Sequence, residues 1–279
     1  MASDTDQVME LDGRGGFASE LRLALDDLRR SFANSSVWIA LAWHDIIAQY
    51  RGSIIGPFWI TLSMGALITG MGLLYSQIFA ADEPIYFAWV AAGFTLWALV
   101  STMISDGCTM FSQSVSMIRQ TNLPMFTFVW RVLARNLMVF AHHAPILIVV
   151  WVVAGLAMQI NAPLALFGLL LVLVNCTWIS LALALLAARF HDLPQIVTAG
   201  LQFAMFMTPV FWMTDSIHHA RFVLHYNPGY YMLDAVRSPL LGRPLDTETI
   251  PVLATLAVVG WAVAFLMFVN QRRRVVHYL

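Results

Sequence analysis

The chain has 279 residues, of which 59% are hydrophobic and 11% charged, with a formal net charge of -1. Soluble domains carry about 25% charged residues, so this balance, with a mean hydropathy of +0.73, reads as a polytopic membrane protein and gives no electrostatic case for nucleic acid. All 15 basic residues are arginine; without lysine neither a Walker-type phosphate loop nor a lysine Schiff base can be built.

Residues 1–16 are polar and acidic, the composition of a disordered tail, and no secretory leader precedes the first long apolar stretch near Phe58. Phe17 to Phe32 has helical spacing: Leu21, Leu25, Leu28 and Phe32 share a face, and Asp26 can pair with Arg29 or Arg30. Asn34-Ser35-Ser36 offers a cap for the next helix. There Ile39, Trp43, Ile46, Ile47, Tyr50 and Ile54 fall on one face, with His44, Ala48 and Arg51 on the other. That pattern predicts an amphipathic helix lying in the membrane interface, until Gly56-Pro57 breaks it and the chain turns into the bilayer. An ordinary anchor helix would show the same stripe. The division is thus an N-terminal tail and helix, 1–36, and a membrane domain, 37–279.

Six apolar stretches follow, at about 58–79, 85–105, 136–157, 164–188, 194–213 and 251–270, each long enough to span a bilayer. The predicted fold is all-α with six transmembrane helices. Asp106 to Arg135 reads as a polar connection, with a short helical piece over Gln113–Gln120 that stops before Pro124, and Met125–Val132 too short to span. Tyr226–Leu241 is amphipathic and short; a re-entrant helix and a surface helix both fit. Twelve arginines fall in the tail and the even connections and only Arg221, Arg237 and Arg243 in the others, which puts both termini in the cytoplasm and the 226–241 segment outside.

No predicted span has Asp, Glu or Arg at its middle, which argues against ion coupling. The adjacent His142 and His143 point about 100° apart on a helix and cannot chelate one ion, so no metal site is expected. His218, His219 and His225 read as solvated loop residues without an acidic partner pattern. Cys108 and Cys176 form no disulfide framework. No convergent acid, base or nucleophile set is visible, so no catalytic residue and no cofactor is assigned to this chain. Tyr75, Phe79, Phe87 and Trp89 crowd the outer ends of the spans; an interfacial aromatic belt and a lining on which sugar rings stack both fit.

The string Tyr50-Arg51-Gly52-Ser53-Ile54-Ile55-Gly56-Pro57-Phe58-Trp59 resembles the approach to the first span in ATP-binding-cassette export permeases of the second type, in particular the O-antigen, capsule and teichoic acid exporters. Met117-Ile118-Arg119-Gln120-Thr121-Asn122-Leu123-Pro124, Arg189-Phe190-His191-Asp192, Thr208-Pro209-Val210 and Asn227-Pro228 with Arg237 are similar to later segments of that family, in order, over roughly 37–279. His191 stands where arginine is common. The resemblance implies a homodimeric permease in the bacterial inner membrane that exports a lipid-linked polysaccharide, driven by two copies of a separate ATPase that carry the ATP and magnesium. It places the coupling helix at Gln113, Met117, Ile118, Arg119 and Gln120, the interfacial helix at Ile39, Trp43, Ile46, Ile47, Tyr50 and Arg51, and the outer re-entrant segment at Asn227, Pro228, Tyr230, Tyr231 and Arg237. A drug or lipid exporter of the same broad family, or a membrane-embedded transferase, are the alternatives.

Overall fold

The computed structural model describes residues 17–79, 83–155, 159–214 and 224–278. The expectations for residues 1–16 and for His218, His219 and Arg221 lie outside the described residues, as does the side chain of Phe79. Regular structure among the described residues is helical: α1 Phe17–Ala33, α2 Ser35–Gln49, α3 Phe58–Phe79, α4 Glu83–Gln113, α5 Val115–Gln120, α6 Phe126–Val153, α7 Ala162–Ala187, α8 Leu193–Met207, α9 Pro228–Leu240 and α10 Thr249–Tyr278.

Five helices, α3, α4, α6, α7 and α10, are long and apolar enough to cross a membrane. The stretch expected to be the fifth span is instead the 15-residue helix α8 and an irregular tail. Thr208 leaves the helix with φ -94° and ψ 140°, because the ring of Pro209 disfavours helical backbone in the residue before it. The second and third spans are longer than expected. The 31-residue α4 and the 28-residue α6 each run more than 40 Å, about 1.5 Å per residue, so both outreach a hydrocarbon core of about 30 Å. Most of the predicted polar connection is therefore the end of α4, α5, and the first turns of α6. Met125–Val132, set aside as too short, leads into α6 and begins it.

The pillar of the bundle is α4. Over its most apolar window 72% of residues are buried, against 17% for α3 and for α6. Helices α6 and α7 pack along it, α3 lies across α4 and α6, α8 leans on α4, and α9 and α10 pack on α7. Two apolar cores result. One joins Ala24 of α1, Phe111 of α4, Phe126 and Val129 of α6, Leu185 of α7 and Phe268 of α10; since α1 and the last turns of α10 meet here, it marks the proximal end. The other joins Val90 and Trp97 of α4, Val172 and Cys176 of α7, Tyr231 and Leu233 of α9 and Leu253 of α10, toward the distal end. At Gly168 of α7 an added Cβ would lie 1.9 Å from the Ala235 carbonyl oxygen of α9, so two helix backbones touch where only glycine fits.

Candidate functional site

The proximal end is held by three carboxylates. Asp27 of α1 accepts the backbone N–H groups of Met125 and Phe126, each at 3.0 Å, and lies 3.3 Å from Arg272 of α10. These amides belong to the start of α6, where backbone donors lack helical partners and a negative charge is favoured. One side chain thus ties α1, α6 and α10 together. Asp45 of α2 takes a two-pronged contact from Arg131 of α6, Nε at 2.7 Å and Nη2 at 2.6 Å, the planar fork that suits a carboxylate. Asp106 of α4 receives Arg135 and, at 2.9 Å, Asn136 of α6. Ser31 adds a further tie, its hydroxyl accepting from Trp130 Nε1 at 3.0 Å and its carbonyl from Trp38 Nε1 at 3.2 Å.

These contacts revise the faces read from sequence. On α1 the buried residues are Ala24, Asp27 and Ser31; of the expected stripe Leu21 and Leu28 pack half-buried on the proximal core, while Leu25 and Phe32 are exposed, the inward face being centred on Ala24, Asp27 and Ser31, which meet α6 and α10. Asp26 pairs with Arg30 as expected, at 4.0 Å on the surface. On α2, Ala42 and Ile46 are buried and Asp45 is largely covered, so this face packs on α6. Ile39, Trp43 and Ile47 point outward and exposed, which leaves Ile46 out of the expected outer stripe. The helix stops at Gln49, before Ile54, which is fully exposed; Gly52 at φ 82° and Gly56 at φ 61° make the turn that follows, with Tyr50 half-buried and Arg51 exposed within it. Asn34 stands at the start of α2 but its side chain bonds back to the Arg30 carbonyl at 3.0 Å rather than capping.

Between α4 and α6 sits the six-residue α5. Ser114 breaks α4, and Thr121 closes α5 by donating its N–H and its hydroxyl to the Met117 carbonyl, at 2.9 and 2.7 Å. Gln113, Ser116, Arg119 and Gln120 are exposed. Met117 and Ile118, expected to be exposed, are half-buried against the proximal core. Their burial makes α5 a fixed knob rather than a loose loop, and its outward chemistry is polar: one cation, one amide and one hydroxyl, with Gln113 beside it at the end of α4.

At the distal end α9 is buried over most of its length. Asn227 caps it, accepting from Gly229 N at 2.9 Å, and its amide donates to the Met207 carbonyl at 3.1 Å and Thr208 Oγ1 at 3.0 Å, so the end of α8 and the start of α9 share one side chain. Pro228 occupies the first turn, where a missing N–H costs nothing. Arg237, only 1% exposed, bonds the Pro209 carbonyl and lies 3.5 Å over the Trp89 ring. Asp234 accepts from Ser238 and Thr249 hydroxyls at 2.5 Å each and from Asp246 N at 3.2 Å. Tyr230 donates to Asp246 and Tyr231 to Glu248, both at 3.2 Å. Burial, then the charges of Asp234 and Asp246, raise the pKa of Tyr230, so it remains a donor. His225 has an acidic partner after all, Glu248 at 2.9 Å.

Of the four aromatics, Trp89 is buried beneath Arg237, Tyr75 is half-buried beside Phe211 with ring centroids 5.5 Å apart, and Phe87 is half-buried against Gly72. His142 and His143 diverge: His142 Nδ1 meets the Met138 carbonyl at 2.7 Å. No group of three or more metal-ligating side chains occurs among the described residues. Sequence reasoning missed the three proximal carboxylates. Asp45 was legible as a lone acid on a helix of apolar character; Asp106 read as part of a polar connection, and Asp27, beside the surface Asp26, gave no signal.

The family described as ABC-2 type transporter matches residues 36–241. An O-antigen export system permease protein, RfbA, from Myxococcus xanthus is 24% identical over 249 residues, covering 88% of this chain and 96% of its own.

Proposed function

Since the chain belongs to the ABC-2 type transporter family, we propose that it is the membrane permease subunit of an ATP-driven exporter that moves a lipid-linked, O-antigen-like polysaccharide across the bacterial inner membrane. The observation that carries this reading is the likeness to the O-antigen permease over nearly the whole length of both chains. Nucleotide chemistry belongs to a separate ATPase in two copies, in keeping with a chain that has no lysine for a Walker loop.

The proximal end faces the cytoplasm in this account. Among the described residues Arg22, Arg29, Arg30, Arg51, Arg119, Arg131, Arg135, Arg189 and Arg272 belong to it, and Arg237 and Arg243 to the distal end, the asymmetry of a cytoplasmic face. The contact of Arg272 with Asp27 supports an even number of crossings. The sixth is supplied by α8 with its irregular continuation: the chain leaves the proximal end at Asp192 and reaches Trp212, whose carbonyl accepts from distal Trp89 Nε1 at 3.1 Å. The buried α9 is then a segment that enters from outside and returns, its backbone satisfied by helix and neighbours. Gly70 of α3 and Gly200 of α8 face open space in the single chain; small residues on such faces suit close helix approach, and support a homodimer. The knob α5, with Gln113 beside it, offers Arg119 and Gln120 to the ATPase, and α2 rests its Ile39, Trp43 and Ile47 in the inner-leaflet interface.

Deletion of the gene tests the reading: surface glycan disappears and lipid-linked glycan accumulates inside, both reversed by the intact gene. Retained surface glycan with loss of drug resistance or of lipid export contradicts it. Cysteines placed at exposed Thr247 and Ser116 check the orientation, the first reacting with an impermeant thiol reagent in cells with a permeabilised outer membrane, the second only after the inner membrane is opened.

A further inference from the structure

Two cavities meet at the Asp106–Arg135 pair. One, of about 330 Å³, lies between α2, α4 and α6 and reaches Gln113. The other, about 410 Å³, continues between α2, α3, α4 and α6 as far as His143. Its polar wall comprises Gln49, Tyr50, Asp106, Arg135, Asn136 and His143, and its apolar wall Met64, Leu99 and Phe140. His143 is 4% exposed and its Nδ1 is buried without a hydrogen-bond partner among the described residues. A buried ring nitrogen left unsatisfied is costly; the ring that carries it lines the cavity, so a small turn of the ring would bring the nitrogen to a partner held there.

The lining selects among ligands. Its single cation and single anion are paired with each other, so the cavity carries no net charge to attract a phosphate. Parts of Arg135 and Asp106, 29% and 26% exposed, still offer a donor and an acceptor side by side, and Gln49 and Asn136 are amides of both kinds. An apolar wall opposite suits the C–H face of a pyranose ring, and the volume lies in the range of small-molecule sites, about 300–1,000 Å³. We propose that this cleft binds an uncharged, hydroxyl-rich sugar unit, with Asp106 and Arg135 engaging hydroxyls at the mouth and His143 engaging one at depth. The proposal deepens the exporter reading: it gives the glycan a foothold at the proximal end, within one protomer.

Ser63 lines the same cavity and is exposed, whereas Cys108 and Cys176 are buried. The test is the rate at which a Ser63→Cys permease in lipid nanodiscs reacts with N-ethylmaleimide. Octyl glucoside below its micelle concentration slows labelling about fivefold at about four times its Kd, octyl phosphate does not, and free glucose gives the same protection at higher concentration. His143→Leu and, at the exposed rim, Thr102→Phe each remove the protection, read as the ratio of each variant's own labelling rates without and with sugar. Equal protection by octyl phosphate shows a lipid-chain or anion site and overturns the proposal, as does protection that survives both variants, or none at all. Protection in a protein whose deletion leaves surface glycan intact sinks the exporter reading alone; lost surface glycan without protection sinks the sugar cleft alone.

Discussion

At the proximal end, the polar ties of α1 and α2 to the bundle are side chains, Asp27, Ser31 and Asp45, that meet α6 across long stretches of sequence. At the distal end, α9 reaches it through backbone: the Ala235 carbonyl against Gly168, and Asn161 N–H donating to the Pro239 carbonyl at 2.9 Å. The Asp45 pair is partly exposed, and such contacts are individually weak and can be remade, whereas Asp27 is buried against backbone amides; glycine-lined backbone contacts and a buried arginine have no alternative arrangement nearby. The difference is one of fastening: the distal end is held by backbone contacts and a buried arginine, the proximal end largely by side chains between helices.

Four substitutions grade that contrast, with the two native thiols as reporters. Cys176 belongs to the distal core, and Cys108 lies two residues from Met110 of the proximal one; each alone, the other replaced by serine, becomes reactive to a thiol dye when its region opens on heating. Arg237→Ala is expected to be worst. It removes a buried cation from the Trp89 face and the Pro209 carbonyl and leaves a void, at about 3–5 kcal/mol, and Cys176 reacts first. Gly168→Ala forces α7 and α9 apart, about 1–3 kcal/mol, again read at Cys176. Asp27→Ala strips the start of α6 of its acceptor, about 2 kcal/mol once water replaces part of the contact, and the sign of success is earlier labelling of Cys108 with Cys176 unmoved. Asp45→Ala, losing a pair about one-fifth exposed, costs about 1 kcal/mol and shifts neither thiol by much. Equal effects of Asp27→Ala on both thiols would erase the distinction between the ends.

Much of this architecture was legible in the chain. Apolar runs locate the membrane helices, Pro124 the end of α5, and Asn161 with Pro163 the start of α7, where Asn161 Oδ1 accepts from Leu164 N at 3.2 Å. The ends of α4 and α6 were not legible, because Asp106, Arg131 and Arg135 read as loop polarity; they are helical residues that neutralise one another across helices. The inward face of α1 was hidden for a related reason. Hydrophobic periodicity cannot see a face whose contacts are Asp27 and Ser31. Nor can it show that Trp89 is covered by an arginine far along the sequence.

Arg119 and Gln120 are exposed on a helix that Met117 and Ile118 anchor to the proximal core, so they can be changed without disturbing the fold, unlike Met117 and Ile118. The most direct measurement is therefore the ATPase rate of the purified partner with and without the permease carrying Arg119→Glu and Gln120→Glu, beside surface glycan in cells. The account predicts a folded permease with wild-type thiol reactivity, no stimulation of the ATPase, and no export. Full stimulation and normal export by that double variant would place coupling elsewhere than α5 and contradict it.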